Sequence, residues 1–321
     1  SAIWQKLYAD VFGKDFENNQ PDAAAWEKIN TVSDEVIWSK RLELKTILIN
    51  EVKSKLRRDL TAKAENPKLI ANMLSKLDEK ALIIGFARRF APYKRANLIL
   101  RYPERLLKLL NHPKHPVQFV FAGKAHPADS KGKELIQRII EFGREYNVQD
   151  KFIFVEDYDI DVARHLVQGV DVWLNTPIKP LEASGTSGMK AGMNGVLNFS
   201  VLDGWWPECY NGANGWSIHS GEGIEDPELR DHLEAEEVYY KLEKEIAPLY
   251  YTRNKNGYPS DWIKAMIKSI YTVGRDFNMH RMLREYVNDF YLPGSLYSKI
   301  LNQDNQKCLK ELVSLRQSLT E

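Results

Sequence analysis

Between Lys80 and Phe199 the chain repeats one pattern five times: a short apolar run, then a stretch with helical character. The runs occupy residues 81–86, 117–123, 151–155, 170–174 and 195–199. Apolar runs this short, bounded by turn residues, read as strands buried on both faces. The stretches between them read as helices, from about Lys94 to Leu110, from Ser130 to Tyr146, around 162–167, and near Gly188. Short buried strands alternating with helices predict an α/β, Rossmann-like fold, a doubly wound parallel sheet covered on both sides. In such a fold ligands sit at the carboxyl ends of the strands, where the strand order reverses.

Helical segments flank this core. Residues 1–77 read as helical, and the clearest helix starts at Ser33, an N-cap with Asp34 and Glu35 in the first turn. Ile37, Leu44, Leu48, Val52, Leu56 and Leu60 fall on one face of it. Helices return in the stretches 226–247, 258–275 and 277–290. The expected organisation is a helical lead-in over 1–77, a Rossmann-like domain over 78–275, and a helical tail over 276–321. No internal repeat or low-complexity tract interrupts it.

Composition excludes several classes. The 45 basic and 44 acidic side chains nearly cancel, so no net field draws the chain to nucleic acid or a membrane surface. No apolar run reaches the roughly 18 residues of a membrane span. Cys209 and Cys308 stand far apart without metal-ligand spacing, which fits free thiols in a reducing compartment, and hence a cytoplasmic protein with no bound metal. The Ser1-Ala2 start without Met suggests a piece excised from a longer chain. His126 and His165 read as packing or surface residues.

Two segments follow strand ends and would meet in one crevice. The first is Gly85-Phe86-Ala87-Arg88-Arg89-Phe90-Ala91-Pro92-Tyr93-Lys94-Arg95. Four cations at a strand-to-helix junction suit an anion, since arginine's fork matches phosphate and lysine adds a compact charge. The second is Pro180-Leu181-Glu182-Ala183-Ser184-Gly185-Thr186-Ser187-Gly188-Met189-Lys190. Its small residues allow a tight turn with several N–H groups converging on one point, between a carboxylate and an amine.

The stretch Glu182-Ala-Ser-Gly-Thr-Ser-Gly-Met-Lys190 resembles the pyridoxal-phosphate motif of the glycogen, starch and maltodextrin phosphorylase family, where the turn is Glu-Ala-Ser-Gly-Thr-Gly-Asn-Met-Lys. Arg-Arg-Phe-Ala-Pro-Tyr-Lys-Arg resembles the family's Lys-Arg-Ile-His-Glu-Tyr-Lys-Arg, and Tyr158 matches a tyrosine near its cofactor. The resemblance covers roughly residues 30–290 and is best to the shorter bacterial and archaeal branch, in which Asp203-Gly204-Trp205-Trp206 is familiar. Arg88 departs from a Lys, Ser187-Gly188 from Gly-Asn, and Ala91-Pro92 from His-Glu.

The resemblance implies that this chain is the C-terminal lobe of a two-lobed (GT-B) glycosyltransferase, an α-glucan phosphorylase. Lys190 would carry pyridoxal 5′-phosphate covalently. Thr186, Ser187 and Arg88 would lie near the cofactor's phosphate, and Tyr158 near its ring. Arg89 and Lys94 would hold the substrate phosphate. Glu182, Ser184 and Gly185 would bind hydroxyls of the transferred glucose. The implied reaction is retaining phosphorolysis of an α-1,4-glucan by inorganic phosphate to glucose 1-phosphate, with the cofactor's phosphate exchanging a proton with inorganic phosphate in place of a carboxylate pair. An N-terminal lobe of the same chain would complete the active site, so this piece alone is expected to turn over little glucan. A homodimer of the full-length enzyme is compatible with the resemblance.

Two other readings compete. A nucleotide-sugar glycosyltransferase of the same architecture typically has a second Glu where Lys190 stands, to accept bonds from a ribose, and a lysine cannot accept them. A non-catalytic glucan-binding module could use Trp205-Trp206-Pro207-Glu208-Cys209-Tyr210 to stack on sugars, or these could form a buried loop. A dinucleotide-binding dehydrogenase lacks support, because no Gly-x-Gly-x-x-Gly follows the first strand.

Overall fold

The computed structural model describes residues 1–18 and 24–320. Residues 19–23, inside the stretch read as helical, lie outside the described residues. Among the described residues, α1 (Ala2–Phe12), a 3₁₀ helix (Ala25–Thr31), α2 (Asp34–Ala62) and α3 (Pro67–Lys76) precede the sheet. The five expected strands are β1 (Leu82–Ala87), β2 (Val117–Ala122), β3 (Phe152–Val155), β4 (Val172–Asn175) and β5 (Leu197–Val201). A sixth, β6 (Gly215–Ile218), was not legible, being four residues long and set off from β5 by an aromatic stretch without regular periodicity. All neighbours pair in parallel in the order β3-β2-β1-β4-β5-β6, so the order reverses between β1 and β4.

Successive strand residues feed two separate cores, as the period of two requires. Ile84, Phe86, Phe119, Phe121, Leu174 and Phe199 join the larger core. Ile83, Val120, Ile153 and Trp173 join the smaller one. The connecting helices are α4 (Pro103–Leu110), α5 (Ser130–Glu145), α6 (Ile160–Gly169) and α7 (Thr186–Gly192), and α8 (Trp206–Cys209), α9 (Pro227–Lys241), α10 (Ala247–Tyr251) and α11 (Ser260–Asp276) follow. Helix α2 begins as expected, Ser33 Oγ accepting from Val36 N–H.

The helix expected from Lys94 does not start there. Residues Pro92–Lys94 and Leu98–Leu100 are single 3₁₀ turns, and α4 begins only at Pro103. Arg95 adopts the left-handed conformation (φ 45°), which no α-helix can include. Pro103 then supplies a natural first helical residue, since its missing N–H would be unpaired there anyway. The basic segment is therefore a shaped loop, and the helix-dipole contribution expected for it falls away.

Helix α2 carries two fully buried cations that its apolar face concealed. Lys45 Nζ donates to Asp171 Oδ2 (2.5 Å), to the Ala81 carbonyl (2.5 Å) and to Tyr250 OH (2.7 Å). Arg41 donates to the Gln168 carbonyl (2.5 Å) and the Gly169 carbonyl, with Nε 3.6 Å from Asp171 Oδ1. Ile83 N–H also donates to Asp171 (2.8 Å). One carboxylate thus serves two cations where α2, β1 and β4 meet.

The chain divides into two compact units, Ser1–Gly274 and Arg275–Glu321. The second contains α12 (Met279–Glu285), a π-helical turn (Tyr286–Tyr291), α13 (Leu292–Asn302) and α14 (Lys307–Thr320). None of the described residues of these helices is buried. No helix among the described residues is long and apolar enough to cross a membrane.

Candidate functional site

At the carboxyl edge of the sheet the β1–α4 loop and the β4–α7 loop come together, one on each side of the switch point. Glu182 receives two cations from the other loop. Arg88 Nη1 lies 3.0 Å from Glu182 Oε2, and Lys94 Nζ lies 3.0 Å from the same oxygen and 3.3 Å from Oε1. All three side chains are nearly buried, so this is a desolvated triad rather than a surface ion pair. Burial pulls the Arg88 guanidinium down from its usual value, and the Glu182 charge opposes it. Tyr158, at the end of β3, is close enough to exchange charge effects with Arg88. Burial raises its phenol, and Arg88 partly offsets that rise.

The four cations of the basic segment are therefore placed in different ways. Arg88 and Lys94 are held on Glu182, while Arg89 is exposed. Arg95 turns away from the edge into the protein.

Glu182 itself is braced from below. Its N–H donates to Asp203 Oδ2 (2.8 Å), and the other Asp203 oxygen accepts from Gly204 N–H (2.9 Å). Trp205 N–H donates to the Ser184 carbonyl (2.8 Å). The Trp205 ring floors the turn so closely that a Cβ on Gly188 would come within 2.8 Å of its Nε1. Ser184, Thr186 and Lys190 are exposed, and Gly185 takes the left-handed conformation (φ 82°) that bends the chain into α7. Ser187 Oγ accepts from Trp173 Nε1 (3.1 Å), which leaves its own O–H as a donor.

Trp205, Trp206 and Cys209 are buried while Pro207 and Glu208 are exposed, and Trp206–Cys209 is helical, so the two tryptophans pack inward on a short helix where a buried loop or a stacking face was expected. Neither cysteine is disulfide-bonded. His126 is exposed and its Nδ1 accepts from Ala128 N–H (3.1 Å), while His165 is half-buried on α6. Among the described residues no three His, Cys, Asp or Glu side chains gather as a metal site. A cavity of about 600 Å³ lies at the opposite, amino end of the strands, beside Lys76, Asp78 and Gln118. It meets none of the loops that carry the charged triad.

Asp203 and Trp205 stood out in the sequence only as part of a familiar Asp-Gly-Trp-Trp stretch and an aromatic run, and their support of the Glu182 turn was not foreseen. The glycine between them marks that role. Gly204 sits at φ 59°, and a Cβ there would lie 2.3 Å from the Ser184 carbonyl. Gly204→Ala is expected to lower stability by at least about 1–2 kcal/mol, the cost of a left-handed alanine alone. A shifted urea midpoint with an unchanged slope would show it, and an unchanged midpoint would refute it.

A family model for carbohydrate phosphorylases matches residues 34–213, more than half of the chain. The chain belongs to the carbohydrate phosphorylase family. It is 43 % identical over 300 residues to a glycogen phosphorylase of Aquifex aeolicus, a match covering 94 % of this chain and 42 % of that protein. It is 43 % identical over 312 residues to a maltodextrin phosphorylase of Thermococcus litoralis, covering 97 % of this chain and 36 % of the relative. A glycogen phosphorylase of Mycobacterium tuberculosis is 38 % identical over 292 residues, with 91 % and 34 % covered. The phosphorylase chain thus spans about a third to two-fifths of the length of these relatives. The matched segment, 34–213, contains both loops of the charged triad.

Proposed function

We propose that this chain is the cofactor- and phosphate-binding part of an α-glucan phosphorylase, which transfers glucose from an α-1,4-glucan to inorganic phosphate and releases glucose 1-phosphate. The observation that carries the reading is the Arg88–Glu182–Lys94 triad, set at the sheet's switch point, with Lys190 exposed on the helix into which the Glu182 turn leads.

The residues present fit pyridoxal 5′-phosphate. Arg88 Nε is buried and has no hydrogen-bond partner, a donor left over for an oxyanion. Lys190 presents an accessible amine, and the small residues before it keep the approach open. In this reading Lys190 holds the cofactor covalently, Arg88, Thr186 and Ser187 face its phosphate, and Tyr158 borders its ring. When bound, the cofactor supplies a phosphate that passes a proton to and from the substrate phosphate.

The chain's own contribution is electrostatic and positional. Like charges about 4 Å apart repel by ~4 kcal/mol at the effective dielectric of a protein surface. Arg89 and Lys94 offset that repulsion for the substrate phosphate, as Arg88 does for the other. Once an anion engages these cations, the Glu182 carboxylate is released to accept a glucose hydroxyl, beside the Ser184 hydroxyl and the Gly185 backbone. A glucan-binding lobe from elsewhere in the same protein completes the cleft, so this piece alone is expected to turn over little or no glucan.

Glu182 competes with phosphate for the same cations. Glu182→Gln is therefore expected to tighten binding of inorganic phosphate by about tenfold, the worth of one charge-assisted hydrogen bond. Calorimetric titration of both chains tests this, and weaker binding by the variant would contradict it. The reading as a whole is tested by adding pyridoxal phosphate, reducing with borohydride and mapping the modified peptide. An adduct fixed at Lys190 supports it, and none at Lys190 sinks it.

A further inference from the structure

We infer that Arg95 is the positioning residue of this site: it clamps the two ligand-binding loops together and so fixes Lys94 against Glu182. The role rests on the reading of Lys94 and Glu182 given above, although the clamp itself is a matter of geometry.

In the sequence Arg95 is the fourth cation of a basic run and looks like a ligand for an anion. Its guanidinium is instead 4 % exposed and its hydrogen bonds run within the protein. Nε donates to the Thr176 carbonyl (3.0 Å) and Nη2 to the Pro177 carbonyl (2.9 Å), both on the β4–α7 loop. Nη1 donates to Asp231 (2.7 Å) and Nη2 to Glu234, both on α9. The loop answers in kind. Thr176 Oγ1 lies 3.1 Å from the Lys94 carbonyl and 3.2 Å from the Arg95 carbonyl, and Ile178 N–H donates to the Tyr93 carbonyl (2.8 Å). The residues on either side of Lys94 are thereby tied to the segment that leads into Glu182.

The backbone conformation makes the case specific. Arg95 is left-handed at φ 45° and ψ 50°, which costs about 1–2 kcal/mol for a residue with a Cβ. A glycine would relieve that strain but could not bridge to α9. The site therefore keeps a strained arginine where only its side chain justifies one. Glu234, its buried partner, is packed against Gly221, where a Cβ would come within 2.5 Å of Oε1, so the clamp is anchored on α9 and on the loop after β6 together. A free cation facing a ligand needs none of these contacts.

The test is amine protection. The full chain is treated with acetic anhydride and labelling at each lysine is read by mass spectrometry, for wild type, Arg95→Met, Arg95→Lys and Glu234→Gln. Lys94 labelling is expected to rise about tenfold in Arg95→Met, the loss of one charge-assisted hydrogen bond at Glu182. Arg95→Lys and Glu234→Gln should give smaller rises in the same direction. Buried Lys45 should stay protected in all of them, whereas general loosening would expose it too. Unchanged Lys94 labelling in folded Arg95→Met overturns the inference. If that variant does not fold, unchanged labelling in folded Glu234→Gln overturns it. A parallel titration with inorganic phosphate separates the two levels. Lys94→Met should weaken binding, and adding Arg95→Met to it should change binding no further. If wild type binds no phosphate, the functional reading falls, and the labelling still decides whether Arg95 positions Lys94.

Discussion

A chain carrying Lys190→Ala should take up no borohydride-stable pyridoxal phosphate on the α7 peptide, while wild type labels there in preference to its other lysines. Only a primary amine condenses with the cofactor's aldehyde, so alanine removes the attachment completely. Lys190→Arg sharpens the point. It keeps the positive charge on α7, but a guanidinium stays protonated and does not condense, so covalent attachment should vanish there as well. Lys190 is exposed, so both substitutions should leave the unfolding free energy within about 0.5 kcal/mol of wild type. The loss is then one of chemistry rather than of fold. Adduct formation at undiminished yield on another lysine, in either variant, would remove Lys190 from the proposed site.

The second large effect lies at the other end of β4. Asp171→Asn should destabilise the protein by about 3–5 kcal/mol, because it leaves Lys45 and Arg41 as buried cations without a counter-charge. That is a large part of the roughly 5–15 kcal/mol available to a typical domain. Asparagine still offers an oxygen to Ile83 N–H, so the loss would report charge rather than a missing backbone bond. Burial already pulls the Lys45 amine and the Arg41 guanidinium down, with Asp171 opposing it in each case. Replacing all three by apolar residues should not restore the stability, since it would leave the Ile83 N–H and the Ala81, Gln168 and Gly169 carbonyls without these partners. Urea unfolding measures each step. A loss under about 1 kcal/mol for Asp171→Asn would show that the two cations are neutralised some other way.

These residues also show how far the chain could be read in advance. The five strand runs were legible because a parallel sheet demands residues that are apolar on both faces, and few other elements contain such runs. Strand β6 lacked that contrast. Asn211, Gly212, Ala213 and Asn214 precede only four strand residues, and its place was set by pairing with β5. The turn from Glu182 to Lys190 was legible through its small residues, whose function is local. Its support was not, because Asp203 and Trp205 lie in a separate segment and nothing in their own neighbourhood says what they hold. Charge misled in both directions. Arg95, one of four cations that suited an anion, is an internal clamp, while Arg41 and Lys45 drew no notice beside the apolar face of α2 and are buried on Asp171. A side chain's partner is a tertiary fact, and the sequence separation here exceeds any window in which pattern can speak.

That separation has a consequence for how the molecule comes into being. Lys45 meets Asp171 across 126 positions, and Arg88 meets Glu182 across 94. As the chain leaves the ribosome, α2 and β1 emerge long before β4, so one edge of β1 waits without a neighbour and two cations wait without their carboxylate. Parallel pairing across such distances is slow, and the unpaired interval is when strands meet the wrong partner. The arrival of β4 ends both forms of waiting at once. It closes the β1 edge, neutralises α2 and delivers the loop that carries Glu182 to Arg88. Quality control in the cell would then have one event to sense, and a protein stalled before residue 171 would present an open edge and no site.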